Sequence, residues 1–252
     1  MPTISVINQK GGVGKTTTAI SLASALAAKR RVLLVDLDPQ ANASSGLGIS
    51  EPESTVYDVL TGESSARHTI CNTKLKNLSL LPASADLAGA ALELDASSEN
   101  MKLFSKALLG VRPNYDFIVV DSPPSIGALT LNSLAAADQL IIPLQTEYYA
   151  LEGIASMMDT VERVKASLNP DLAILGILLT MFDTRTKLSQ EVEENVRKHF
   201  KDLVFWSVIP RNVRLAEAPS YGQSIFEYAP TSQGAAAYRR LAEEVLQRAA
   251  EA

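Results

Sequence analysis

The chain has 252 residues, a net charge of −5 and a hydrophobic fraction of 46%, an ordinary water-soluble composition with enough apolar surface for one sizeable α/β core. A single cysteine, Cys71, excludes an intrachain disulfide framework and any multi-cysteine metal or cluster site, and it fits a reducing cytosol. The acidic balance argues against a molecule that is basic all over, while leaving room for a local basic patch.

Only Met1 and Pro2 precede the first predicted strand, so neither a signal peptide nor a separate N-terminal DNA-binding module is expected. That strand covers 3–7, and a helix is predicted over 16–28. Further strands are predicted over 32–36, 78–81, 117–121, 139–142, 173–180 and 203–209. Helices are predicted over 84–94, 99–109, 128–137, 150–168, 188–200 and 232–249, with Gly110 and Asn169-Pro170 as stops. Runs such as Val32-Leu33-Leu34-Val35 and Phe117-Ile118-Val119-Val120 are apolar throughout, as in parallel strands covered on both faces. The polar stretch 62–76 reads as an irregular surface excursion. The most apolar stretch, 126–144, is interrupted by Asn132, Asp138 and Pro143, so it reads as a helix and a strand, not a membrane span. The alternation predicts one α/β domain over 1–252. Its core is a doubly wound, mostly parallel twisted sheet with helices on both faces.

Between the first strand and the first helix stands Gln9-Lys10-Gly11-Gly12-Val13-Gly14-Lys15-Thr16-Thr17. Strand, glycine loop and helix in this order make a phosphate-binding loop. Glycines let the backbone approach phosphate oxygens, and the loop N–H groups with the helix N-terminus form an anion cradle. Lys15 is expected on the β- and γ-phosphates and the Thr16 hydroxyl on Mg²⁺. The first glycine of the common pattern is replaced by Gln9, and Lys10 follows it, which makes the loop the variant K-G-G-x-G-K-[ST].

In such a fold ligands sit at the carboxyl ends of the strands. Asp36 and Asp38 close the second predicted strand and Asp121 closes a later one. An apolar strand ending in Asp is the second mark of a P-loop NTPase, and Asp121 is assigned to Mg²⁺. Asp38 either orients the attacking water or accepts its proton, or else caps the short turn into 41–45. Asp36 either supports the Mg²⁺ shell or only hydrogen-bonds the neighbouring loop. No Asn-Lys-x-Asp guanine motif occurs in the sequence, which favours ATP over GTP.

With these segments in place the chain resembles the ParA/MinD group of deviant P-loop ATPases. Three further segments resemble its ParA (Soj) branch: Glu147-Tyr148-Tyr149-Ala150-Leu151-Glu152-Gly153, Thr180-Met181-Phe182-Asp183, and the run from Ile209 to Ser220. The resemblance implies an ATP-dependent chromosome- or plasmid-partition ATPase, cytoplasmic and nucleoid-associated, that turns ATP into ADP with Mg²⁺. It further implies an ATP-bound sandwich homodimer, non-specific binding of double-stranded DNA, and a ParB-type partner that stimulates hydrolysis. By the same resemblance Lys10 reaches the other subunit's phosphates, Thr17 contacts the α-phosphate, and Pro210, Arg211 and Asn212 lie beside adenine. Arg185 and Arg214 fall where Soj-like proteins bind DNA. A MinD-like membrane-positioning ATPase, or one for a protein cargo, is the alternative. The C-terminal stretch 239–252 has a small apolar side and mixed charge, unlike a membrane-seeking helix.

Overall fold

The computed structural model describes residues 2–93 and 100–251. Its strands are β1 (Thr3–Val6), β2 (Val32–Asp36), β3 (Cys71–Asn72), β4 (Leu78–Leu81), β5 (Phe117–Asp121), β6 (Gln139–Gln145) and β7 (Ala173–Thr180). Among the described residues they form one sheet in the order β3-β4-β2-β5-β1-β6-β7. All pairs are parallel except β3–β4 at one edge. The larger helices are α1 (Lys15–Ala27), α2 (Asn42–Gly46), α3 (Val56–Thr61), α4 (Ala66–Thr69), α5 (Leu87–Glu93), α6 (Leu103–Leu109), α7 (Ala128–Ala136), α8 (Ala150–Ser167) and α9 (Lys187–Phe200). Then come α10 (Val213–Glu217), α11 (Ile225–Tyr228) and α12 (Gln233–Glu251).

The predicted doubly wound sheet forms because β1, β2 and β5 are buried at every position and need cover on both faces. On one face α1 and α12 close a core containing Leu22, Leu34, Val119, Phe205 and Leu241. On the other, α3, α6 and α7 pack Val59, Phe104 and Leu129 against Leu33, Val35 and Val120. Helix α1 lies between the sheet and α12, which explains why it is buried nearly all round; Ala19, Ala23 and Ala27 let the layers approach. The Thr18 and Tyr238 hydroxyls, 3.1 Å apart, tie the two helices. Among the described residues no helix is long and apolar enough to cross a membrane, and 126–144 resolves into α7 and β6.

Three expectations need correction. The predicted strand 203–209 is instead a 3₁₀ turn, Lys201–Leu203, followed by an irregular segment that bridges β7 at Ile177–Val204, donates to it from the Phe205 and Ile209 N–H groups, and meets Phe182, just past β7, at Pro210. Its ladder is broken because the Trp206 and Ser207 N–H groups donate to the Glu244 carboxylate of α12 at 2.8 and 3.0 Å. The excursion 62–76 is ordered, containing α4, N-capped by Ser65, and the antiparallel edge strand β3. The helices predicted over 84–94 and 99–109 are shorter, starting at Leu87 and Leu103, the latter behind a 3₁₀ turn from Asn100; Leu94 and Glu99 lie outside the described residues.

Candidate active site

The order of the sheet brings the loop after β1 between the carboxyl ends of β5 and β6. Gly12 and Gly14 have φ of +75° and +88°, conformations that side chains resist, and Gly14 leads into α1 with no side chain capping its first turn. A Cβ at Gly11, Gly12 or Gly14 would meet nothing within 4 Å in the chain, so the space over the loop is open to a ligand. That space is a cavity of about 400 Å³ walled by Gly11, Lys15, Thr16, Thr17, Asp38 and Met181.

The two loop lysines part company. Lys15 is buried, its ammonium donating to the Lys10 carbonyl at 3.1 Å. Burial lowers its pKa, against the opposing pull of Asp121 and Asp38. Lys10 lies on the rim, its side chain 47% exposed, and pairs at 2.6 Å with Glu147 just beyond β6. Gln145 also donates to Glu147.

Register aligns the strand-end acids. Asp36 of β2 and Asp121 of β5 are direct partners in the ladder, and both are fully buried. Neither Asp121 carboxylate oxygen has a hydrogen-bond partner. Burial and the facing Asp36 raise its pKa well above the usual range, opposed by the Thr16 hydroxyl, which lies near without meeting hydrogen-bond geometry, and by Lys15. Asp36 is placed differently: Oδ2 accepts from the Ser44 N–H and hydroxyl, both at 2.8 Å, and Oδ1 from the Asp38 N–H at 3.2 Å. Its pKa rises to about 6, chiefly through burial. Of the two roles left open for Asp36, the loop contact is made. Asp38 Oδ1 accepts from the Gln40 N–H at 3.0 Å, bracing the turn into α2, while the residue also walls a small adjoining pocket with Pro123, Pro124 and Gly127.

On the other side of Gly14, Thr17 and Met181 opens a cavity of about 390 Å³. Pro210, Arg211 and Asn212 line it, held there by the Arg211 N–H donating to the Phe182 carbonyl at 3.0 Å. Asn212 also N-caps α10. Thr180, Met181 and Tyr238 in this wall were not foreseen; only the strand-end position of Thr180 signalled it, and nothing local marks Tyr238. The arginines stand apart from both cavities. Exposed Arg185 forms a two-pronged pair with Asp183 at 2.9 and 2.7 Å, and Arg214 pairs with Glu217 at 2.7 Å.

A glycine loop opening an uncapped helix, a buried lysine and an unpartnered strand-end carboxylate define a P-loop phosphate site. Comparison with known proteins agrees. The AAA domain family model matches residues 1–174. Chromosome-partitioning ATPase Soj of Thermus thermophilus is 54% identical over 99% of this chain and 97% of its own length. Sporulation initiation inhibitor protein Soj of Bacillus subtilis is 51% identical over 96% and 97%. A crystal structure of cobyrinic acid a,c-diamide synthase from Mycobacterium smegmatis with ADP and magnesium superposes with a TM-score of 0.87 at 36% identity, covering 99% of this chain and 96% of that one. The chain belongs to the Soj/ParA family of chromosome-partitioning ATPases.

Proposed function

We propose that this chain is an ATP-hydrolysing DNA-partition switch, active as a nucleotide-bridged homodimer. The observation that carries the reading is the division of labour between its lysines: Lys15 is buried in its own phosphate cavity, and Lys10 is held on the rim, facing out. A cation on the rim is suited to a second subunit's phosphates, where it would stabilise charge developing in phosphoryl transfer. Lys10 leaves Glu147 to do so. Exposed Ile126, Tyr148 and Tyr149 beyond the ends of β5 and β6 supply apolar surface beside it for a second copy.

Within one subunit the loop from Lys10 to Thr17 takes the phosphates of ATP and then ADP, and Pro210, Arg211 and Asn212 flank the base. The unpartnered Asp121 oxygens and the Thr16 hydroxyl fit Mg²⁺, which would neutralise phosphate charge when bound. Asp36 stands behind that shell, holding the Asp38 loop. Asp38 orients the attacking water from its position between the phosphate cavity and the pocket beside Pro123 and Pro124. Arg185 and Arg214 exchange their carboxylate partners for DNA phosphates, two copies adding in the dimer. A ParB-type partner then stimulates hydrolysis and releases the nucleoid.

The test is binding of unrelated double-stranded DNA with no nucleotide, with ADP and with ATP, at two salt concentrations. Binding is expected with ATP alone, weaker at higher salt, and lost in Lys15→Ala together with ATP binding. DNA binding indifferent to nucleotide, or retained by Lys15→Ala, would overturn the reading.

A further inference from the structure

We infer that Thr180, the last residue of β7, is a positioning residue that aims the phosphate loop. Its buried hydroxyl donates to the Val13 carbonyl at 2.9 Å, a contact spanning 167 residues of sequence. The peptide joining Val13 to Gly14 is planar and trans, so its C=O and N–H point in opposite directions. Fixing the Val13 oxygen on β7 therefore turns the Gly14 N–H away from β7, towards the cavity that Gly14 shares with Lys15 and Thr16. Without that anchor the peptide is free to rotate, because glycine on its C-terminal side tolerates many conformations.

Neighbouring contacts make the anchor stiff. Thr180 is in register with Gln145 of β6, and the Thr146 N–H donates to its carbonyl. The next residue, Met181, has φ +51°, an uncommon conformation for a side chain of its size, and walls both cavities. The Gly14 carbonyl is itself taken by the Thr18 N–H at 2.9 Å, which leaves the amides facing the ligand. Thr180 also lines the second cavity, so one side chain joins the wall assigned to the base with the loop assigned to the phosphates.

The inference rests on the phosphate-loop reading, and the experiment separates the two. ATP and ADP affinities are measured for the unmodified chain, Thr180→Val, Thr180→Ser and Thr180→Ala, with the Gly14 amide resonance followed by NMR. Thr180→Val keeps the shape and removes the donor. It is expected to weaken both nucleotides about tenfold, the scale of one lost buried hydrogen bond, and to move the Gly14 resonance. Thr180→Ser is expected to stay close to the unmodified chain. If Thr180→Val fails to fold, Ser against Ala makes the same comparison, since both lack the methyl and only Ser can donate. Equal affinity with and without the hydroxyl, or an unmoved Gly14 amide, would overturn the inference while leaving the phosphate loop standing. An unmodified chain that binds no ATP would overturn both.

Discussion

Two carboxylates side by side in a dry sheet are unfavourable, and this chain keeps Asp36 and Asp121 there. Burial raises both, Asp36 from its ordinary 3.8 to about 6. Between those values the folded chain holds a proton that the unfolded chain has released. Stability of the nucleotide-free protein therefore falls as pH rises through that window, and the deficit persists above it. Asp121→Asn removes the repulsion. Its nucleotide-free melting temperature at pH 7.5 is expected to rise, by roughly 2–4 °C for each kcal/mol relieved, and its pH dependence to flatten. The same variant is expected to lose the extra melting temperature that MgADP confers on the unmodified chain. Thermal melts with and without MgADP check both; a lower nucleotide-free melting temperature would show that the pair costs nothing.

At the scale of elements, the decisive join is between β7, the segment after α9, and α12. Gly176 in β7 has no side chain because the Phe205 ring occupies its place: a Cβ there would sit 2.5–2.9 Å from ring atoms. Arg248 of α12 lies over the same ring, 4.4 Å from its centre, and donates to the carbonyls of Leu175, Asp202 and Val204. This stitching holds 209–212 against the end of β7 and so shapes the second cavity. Gly176→Ala is expected to destabilise the fold by about 1–3 kcal/mol through overpacking and to weaken ATP binding, read by denaturant unfolding and nucleotide titration. The β-rich composition of 203–209 made a strand the natural expectation. What broke it was Glu244, roughly forty residues away, offering a better acceptor to two of its N–H groups.

For the whole molecule, charge is the quantity to follow. A net −5 opposes DNA, and each DNA-assigned arginine is neutralised by a carboxylate of its own loop or helix. Such exposed pairs are worth little, so phosphates can displace them, but a single subunit offers too few contacts. On the proposed reading, doubling the patch in an ATP-bound dimer would make DNA binding conditional on nucleotide. Changing Arg185 and Arg214 together to Glu is expected to leave ATP binding intact, to weaken DNA binding, and to flatten its dependence of log affinity on log salt by roughly two per protomer. An unchanged salt slope would move the DNA surface elsewhere.

The sequence by itself determined the sheet class, the phosphate loop and the acids at the strand ends. These depend on neighbouring residues: apolar runs, glycines at turn positions, and a lysine and threonine at fixed steps into a helix. Tertiary structure decided which of these groups meet. Strand order set Asp36 against Asp121, brought Thr180 to the Val13 carbonyl, and placed Tyr238 in a cavity with residues 180–181 and 209–213. It also chose partners among equals, giving Lys10 to Glu147 and Asp36 to Ser44. Hydrogen bonds and ion pairs act over about 3 Å in space with no regard to distance along the chain, so such choices become visible only once the sheet has been assembled.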